Sequence, residues 1–180
     1  DLTDEKRERI PKLLHMLGNE GHGTPFEKSM LHFLVTTEVA THIQILKHRV
    51  GVSVNAESAR YKELKDDKLY VPVDWDDEER EKYIQFMESS LKQYHETLNR
   101  LVAKGVPRKR AKESARFYIP YGNQIISDIS FNFRSFMHFQ ELRNSEHSQL
   151  EIRRVAEEML SLVRETGKFD ASLKAFGYGE

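Results

Sequence analysis

The sequence predicts an α+β fold: one helix-dominated domain over residues 1–180, with a small central β-sheet flanked by long helices. Three observations carry that expectation. Apolar residues recur at spacings of three and four over most of the chain, most regularly at Ile84, Met87, Leu91, Tyr94, Leu98 and Leu101. Two short runs, "SMLHFLVTT" and "QIISDISF", are β-rich instead. A length of 180 residues with 38% apolar and 32% charged side chains suits one solvated domain with a substantial core.

Taken in order, "TDEKRERIPKLLHML" predicts a first helix, with Thr3 as N-cap and Ile10, Leu13, Leu14 and Leu17 sharing a face. "NEGHGTPF" breaks it with two Gly and a Pro, and "SMLHFLVTT" predicts a strand. "EVATHIQILKH" returns to helical spacing over 38–48, with Val39, Ile43 and Leu46 on an arc expected to be buried. "RVGVSVNAESARY" loses that spacing and reads as an irregular loop, whereas "KLYVPVDW" reads as extended, its Pro suiting an edge or a loop. The Ile84 to Leu101 stripe is opened by acidic residues and closed by Gly105, as a helix and its dipole require. "PRKRAKESARFYIP" predicts a short basic helix, with Pro107 near its start. A strand in "QIISDISF", a helix in "NFRSFMHFQELR" and a last helix over 146–166 complete the chain.

Composition excludes several functions. The net charge of -1 is unlike that of a protein devoted to wrapping nucleic acid, so no nucleic-acid partner is expected. No apolar run reaches the roughly 20 residues that cross a bilayer, and "DLTDEKRERI" is no signal peptide. No membrane partner and a soluble, cytoplasmic location are the expectation. With no Cys there is no disulfide, thiolate metal site or cysteine nucleophile. The eight His show no metal-ligand spacing, and phosphate-binding glycine loops are missing, so no metal is expected.

Polar chemistry gathers in "KHRVGVSVNAESARY". On a helix over 38–48, Thr41, Gln44, Lys47 and His48 lie on one arc, joining an amide, an ammonium and an imidazole at the C-terminal end. Cations there complement the helix dipole, worth about 0.3–1 kcal/mol, and by spacing alone that reading suffices. Asn55, Glu57, Ser58, Arg60 and Tyr61 then add directional groups suited to gripping a phosphate-bearing ligand. His22 stands between two glycines, where backbone can approach a ligand closely. Arg134 and His138 share a helical face, and Arg143 points to the opposite side. Arg108, Lys112 and Arg116 align on the basic helix, a short patch that an RNA-binding module would also show. Residue by residue, the result is an anion-binding protein with several cation clusters and an open choice of reaction.

In order along the chain these clusters resemble the flavin-dependent thymidylate synthase family. Its signature is Arg-His-Arg, seven or eight residues, Ser, then an Arg-Tyr pair; Lys47-His48-Arg49, eight residues, Ser58 and Arg60-Tyr61 follow it with Lys in the first place. "GHGTPFE" resembles the family's His-Glu-Thr-Pro-Phe-Glu segment, and "NFRSFMHFQELR" its Asn-x-Arg-Ser-x-x-x-Phe-x-x-x-Arg block. His138 stands where many members carry Asn.

The resemblance implies reductive methylation of dUMP to dTMP, with methylenetetrahydrofolate as one-carbon donor, FAD as cofactor and NADPH as reductant. It implies flavin and folate contacts at His22, Lys47, His48, Arg49, Asn132, Arg134, His138 and His147. It implies dUMP contacts at Gln44, Glu57, Ser58, Arg60, Arg116 and Arg143, with Arg143 and Ser58 closest to the chemistry. It further implies a homotetramer whose sites are shared between subunits, and a strand with a nucleotide-contacting Ser upstream of Asp1. The location would be the cytoplasm, that of the host for a viral source. The family uses no enzymic nucleophile on the pyrimidine, and the lack of Cys agrees. Two alternatives stand beside this one: an impaired member that binds flavin or nucleotide without turnover, and, more remotely, the RNA-binding module.

Overall fold

The computed structural model describes residues 3–58, 61–63 and 68–179. Among them are seven α-helices and three strands, a helix-dominated α+β arrangement as expected. The chain forms two compact units, one of Asp1–Phe33, His48–Ser53 and Ile129–Glu180, the other of Leu34–Lys47 and Val54–Asp128.

The sheet has the order β1-β3-β2, with β1 at Met30–Glu38, β2 at Val52–Ala56 and β3 at Gln124–Asn132. Asn132 N donates to Gly51 O at 2.9 Å and Glu57 N to Ile126 O at 2.9 Å, so β2 and β3 run antiparallel. On β3, Ser127, Ile129 and Phe131 are buried while Asp128 is exposed, the period-two pattern of a strand with one covered face. Strand β2 corrects the expectation of an irregular loop. Val52, Ser53 and Val54 alternate apolar and polar side chains, and Gly51, at φ +65°, provides the turn that feeds them into the sheet.

In the first unit, α1 (Asp4–Asn19) is capped by Thr3, whose side chain accepts from Lys6 N. It packs on α7 (Asp170–Ala175), a short helix that the periodicity does not reveal. Gly18 permits that approach, since a Cβ there would lie 2.5 Å from Ala175 O. Of the expected apolar face of α1, Ile10 and Leu13 are exposed and Leu14 and Leu17 half-buried, and no residue of the helix is fully buried. The core lies between α5 (Phe133–Arg143) and α6 (Leu150–Glu165), built on Phe131, Phe133, Phe136, Phe139, Ile152 and Ala156. Gln140 Nε2 donates to Ala156 O at 2.9 Å and ties the two helices inside that core. Helix α6 begins at Leu150 instead of residue 146, because residues 144–149 form turns.

In the second unit, α3 (Asp77–Ala103) realises the Ile84 to Leu101 stripe, with Asp76 as N-cap. Its Tyr94 and Leu98 pack with Ala111 and Ala115 of α4 (Arg108–Ala115), and all four are fully buried. Of "KLYVPVDW", the start pairs: Leu69 bridges Asn123, with Tyr70 N donating to Gly122 O at 2.9 Å and Gln124 N to Lys68 O at 2.8 Å, but no strand forms. Helix α2 covers only Val39–Ile45, with Glu38 as N-cap, and stops short of Lys47 and His48. Its buried side chains are Thr41, His42 and Ile45, whereas Ile43 and Leu46 are exposed, the reverse of the expected arc. The inward polar groups are satisfied: Thr41 N and Oγ1 donate to Glu38, and Ser127 Oγ lies 3.0 Å from His42 Nδ1. Burial lowers the His42 pKa, so this ring is neutral where it sits.

Candidate active site

Along β3 and into α5 the backbone turns from extended to helical at Asn132, whose side chain caps the helix by accepting from Ser135 N at 2.8 Å. That cap places Asn132, Arg134, Ser135 and His138 on the wall of a cavity of ≈ 1180 Å³ in the first unit, completed by Gly51, Tyr178 and others. Arg134 Nη1 reaches Glu27 Oε1 at 2.6 Å and crosses Gly23 so closely that a Cβ there would stand 2.5 Å from its Nε. The second glycine of "GHG" therefore exists to let an arginine lie against backbone. Gly51 is similar: a Cβ would come within 2.3 Å of Asn132 Nδ2 and Ser135 Oγ. The Tyr178 phenol is held protonated, its pKa raised by burial and by the Glu141 carboxylate.

Arg143, at the far end of α5, is half-buried and donates from Nε to His48 Nε2 at 2.9 Å. Arginine carries its charge at all working pH values, so Nε2 of His48 must be the unprotonated nitrogen and Nδ1 the protonated one. Burial, then Arg143, then His138 push the His48 pKa down to about 4. Its ring meets Phe139 edge-on at 4.9 Å and lies 6.5 Å from His138. A neutral imidazole, locked in one tautomer, thus braces a guanidinium 95 positions away in sequence.

The other expected residues are placed as follows. His22 is exposed beside Glu20 at 3.4 Å, Arg49 is exposed, and His147 is exposed in the turn after α5; none of the three lines the cavity. Lys47 is exposed just past the end of α2, its backbone N donating to Gln44 O at 3.2 Å. The expected convergence of Thr41, Gln44, Lys47 and His48 on one helical arc does not form, because Thr41 is buried and the helix has ended. Glu57 follows β2 and is half-buried, with Lys68 Nζ at 2.9 Å and Lys62 also bound to it. Those two bonds, Lys62 first, hold its pKa below the usual carboxylate range. Ser58 is half-buried, its carbonyl accepting from Tyr61 N and Lys62 N, and Arg116 is exposed just after α4. Arg60 lies outside the described residues.

A division emerges. Among the described residues, those expected to meet flavin fall in the first unit, all but Lys47, and those expected to meet nucleotide fall in the second, all but Arg143. Sequence reasoning left out Glu27, Ser135, Glu141 and Tyr178, as well as Lys62 and Lys68. Glu27 was within sight, since it ends the "GHGTPFE" motif; Tyr178 had no local signal at all.

The comparisons with known proteins bear on this site. A family model described as "Thymidylate synthase complementing protein" matches residues 1–166. The chain is 32% identical over 188 residues to the flavin-dependent thymidylate synthase of Thermosipho africanus, spanning 95% of this chain and 79% of that protein. It is 34% identical over 152 residues to that of Streptomyces coelicolor, spanning 76% and 60%. To that of Clostridium tetani it is 32% identical over 176 residues, spanning 91% and 69%.

Proposed function

The chain belongs to the thymidylate synthase complementing protein family, and as an enzyme of that family we propose that it converts dUMP to dTMP. In this reading methylenetetrahydrofolate supplies the one-carbon unit, NADPH the reducing equivalents and FAD the redox cofactor. The observation that carries it is the cavity of the first unit, where Asn132, Arg134 and His138 converge although only the family signature linked them to one ligand. Its volume, ≈ 1180 Å³, suits a large ligand, and its donors suit a pyrophosphate and a polar ring.

The chemistry of bound flavin is hydride transfer; the rest falls to the chain. Arg134 and the N-terminal turn of α5 offer positive potential to an anion, which must share the guanidinium with Glu27. Arg143, braced by His48, carries the charge that stabilises electron density developing on the pyrimidine. Ser58, Arg60, Gln44, Glu57 and Arg116 hold the nucleotide; Lys47, His48, Arg49, His22 and His147 serve the flavin and folate side. Glu57, kept ionised by its two lysines, acts in that set as an acceptor for the pyrimidine or ribose, not as an acid. With no Cys in the chain, no thiolate attacks the ring. Assembly as a homotetramer is supported by Leu34, Ile43 and Leu46, large apolar side chains left exposed on β1 and beyond. Among the described residues, no helix is long and apolar enough to cross a membrane.

The test uses purified protein. Bound FAD, visible by absorbance, and dUMP-dependent NADPH oxidation yielding dTMP are expected. Colourless protein that FAD cannot titrate would overturn the reading.

A further inference from the structure

The basic helix α4 has no role in the function above, yet its cations are not idle. Lys112 Nζ donates to the backbone carbonyl of Tyr61 at 2.7 Å. One turn earlier, Arg108 Nη2 donates to Glu63 Oε2 at 2.6 Å, and Lys109 Nζ stands 5.2 Å from the centre of the Tyr61 ring. Two residues of one short segment, Tyr61 and Glu63, thus supply every partner named for these three cations of one helix. That helix is a firm base, because Ala111 and Ala115 are fully buried against Tyr94 and Leu98 of α3. His95 of α3 adds a fourth contact, with Nδ1 3.6 Å from the other Glu63 oxygen.

What the helix holds is the far end of the nucleotide loop. Tyr61 N and Lys62 N donate to Ser58 O at 3.0 and 2.9 Å, so fixing 61–62 fixes Ser58. At the near end, Glu57 N donates to Ile126 O, which anchors the loop to the sheet. We propose that α4 is a latch, with Arg108, Lys109 and Lys112 as positioning residues that hold residues 61–63 and through them the dUMP-binding segment. The proposal rests on the dUMP reading above for its ligand, but the latch itself is a property of the loop. It also accounts for three of the four cations of a helix in a near-neutral chain without a polyanion partner, and the fourth, Arg110, pairs with Glu113 of the same helix.

The geometry dictates the effects of substitution. Lys112→Met keeps the aliphatic stem and removes the donor to Tyr61 O. Lys112→Arg keeps a donor of similar reach. Arg108→Glu turns one ion pair into a repulsion, which Glu63→Arg in the same chain reverses. The experiment measures two quantities on the full chain: amide hydrogen exchange of the peptide covering residues 57–68, without nucleotide, and the Kd for dUMP by titration.

With Lys112→Met, exchange in that peptide rises several-fold and the dUMP Kd rises about tenfold, the loss expected when a loop must be ordered at binding. Lys112→Arg restores both quantities to near the original values. Arg108→Glu raises both quantities, and the double variant with Glu63→Arg returns them toward the original values. Melting temperature guards against a folding defect, and the swap pair decides the matter if Lys112→Met is unstable. Unchanged exchange and unchanged Kd in every variant, from a protein that binds dUMP, would overturn the latch and leave the enzyme reading intact. Accelerated exchange in a protein that binds no dUMP would uphold the latch and overturn the reading of its ligand. Oligonucleotide binding at physiological salt, lost with Lys112→Met while exchange stays constant, would overturn the latch in favour of a polyanion surface.

Discussion

Acidifying the protein from about pH 7 to about pH 4 removes stability through His48, among other groups. Its folded pKa of about 4 lies below the ordinary 6.5, so between those values the unfolded chain binds a proton that the folded chain refuses. Stability from this group is therefore complete above the ordinary value and is lost as pH falls toward the folded one. The slope is about 1.4 kcal/mol per pH unit, and the whole window sets a ceiling of roughly 3 kcal/mol. Because the ring is half-buried, water screens it, and about 1–2 kcal/mol is the expected loss. The physical event is the end of the bond from Arg143: a protonated Nε2 is a second donor, carrying a second positive charge, facing the guanidinium.

The assay is urea denaturation at steps of pH, comparing the natural chain with His48→Gln. Glutamine offers Arg143 an acceptor oxygen but does not titrate. His42 and Glu57, whose pKa values are also lowered, act in the same direction in both proteins and cancel in the difference. Titration of the His48 ring by nuclear magnetic resonance gives an independent reading. Arg143→Met raises its pKa only partway, since burial, the larger cause, remains. A ring that titrates near 6.5, or a difference curve that stays flat through the window, refutes the reasoning.

Three further outcomes follow from glycine geometry and exposure. Gly51→Ala places a Cβ against Asn132 and Ser135 at φ +65°, and costs about 1–3 kcal/mol in denaturant melts; an unchanged midpoint would count against the close approach described. Gly23→Ala drives Arg134 off Glu27, and since an arginine stem can move, stability changes by under about 1 kcal/mol while FAD affinity in an absorbance titration falls. An FAD Kd equal to that of the natural chain would detach Arg134 from the flavin. Lys47→Ala, at an exposed position, leaves stability within about 0.5 kcal/mol but weakens flavin or folate binding; a variant that unfolds yet binds both normally contradicts that role.

How far the sequence discloses these features depends on the range of the interaction concerned. Helix α3 is 27 residues long, and its stripe repeats often enough for period and burial to coincide. Helix α2 has seven residues, two turns, and there the rule fails in an instructive way. Ile43 and Leu46, expected inside, are outside, while Thr41 and His42 are inside, where Thr41 bonds to Glu38 and His42 to Ser127 once β1 and β3 lie side by side. No local pattern announces that pairing, since Ser127 is 85 positions from His42. Strand β2 is hidden for a different reason: its alternation lasts five residues and sits among charges that draw attention to ligands.

The site shows the same limit. Residue types and motif order pick out candidate side chains, but not what the protein itself already does with them. Arg134 is engaged by Glu27, Glu57 by two lysines and Arg143 by His48. Each such partner changes the chemistry available. A guanidinium that must be shared with Glu27 binds an incoming anion by exchange, and so more weakly than a bare cation would. A carboxylate held ionised by lysines accepts hydrogen bonds and does not deliver protons. An arginine whose Nε is fixed by a neutral imidazole presents its charge in a set plane, and loses that plane when the imidazole is protonated. His48 therefore acts on the orientation of Arg143, a link that becomes visible only when residues 95 positions apart are brought together by the fold.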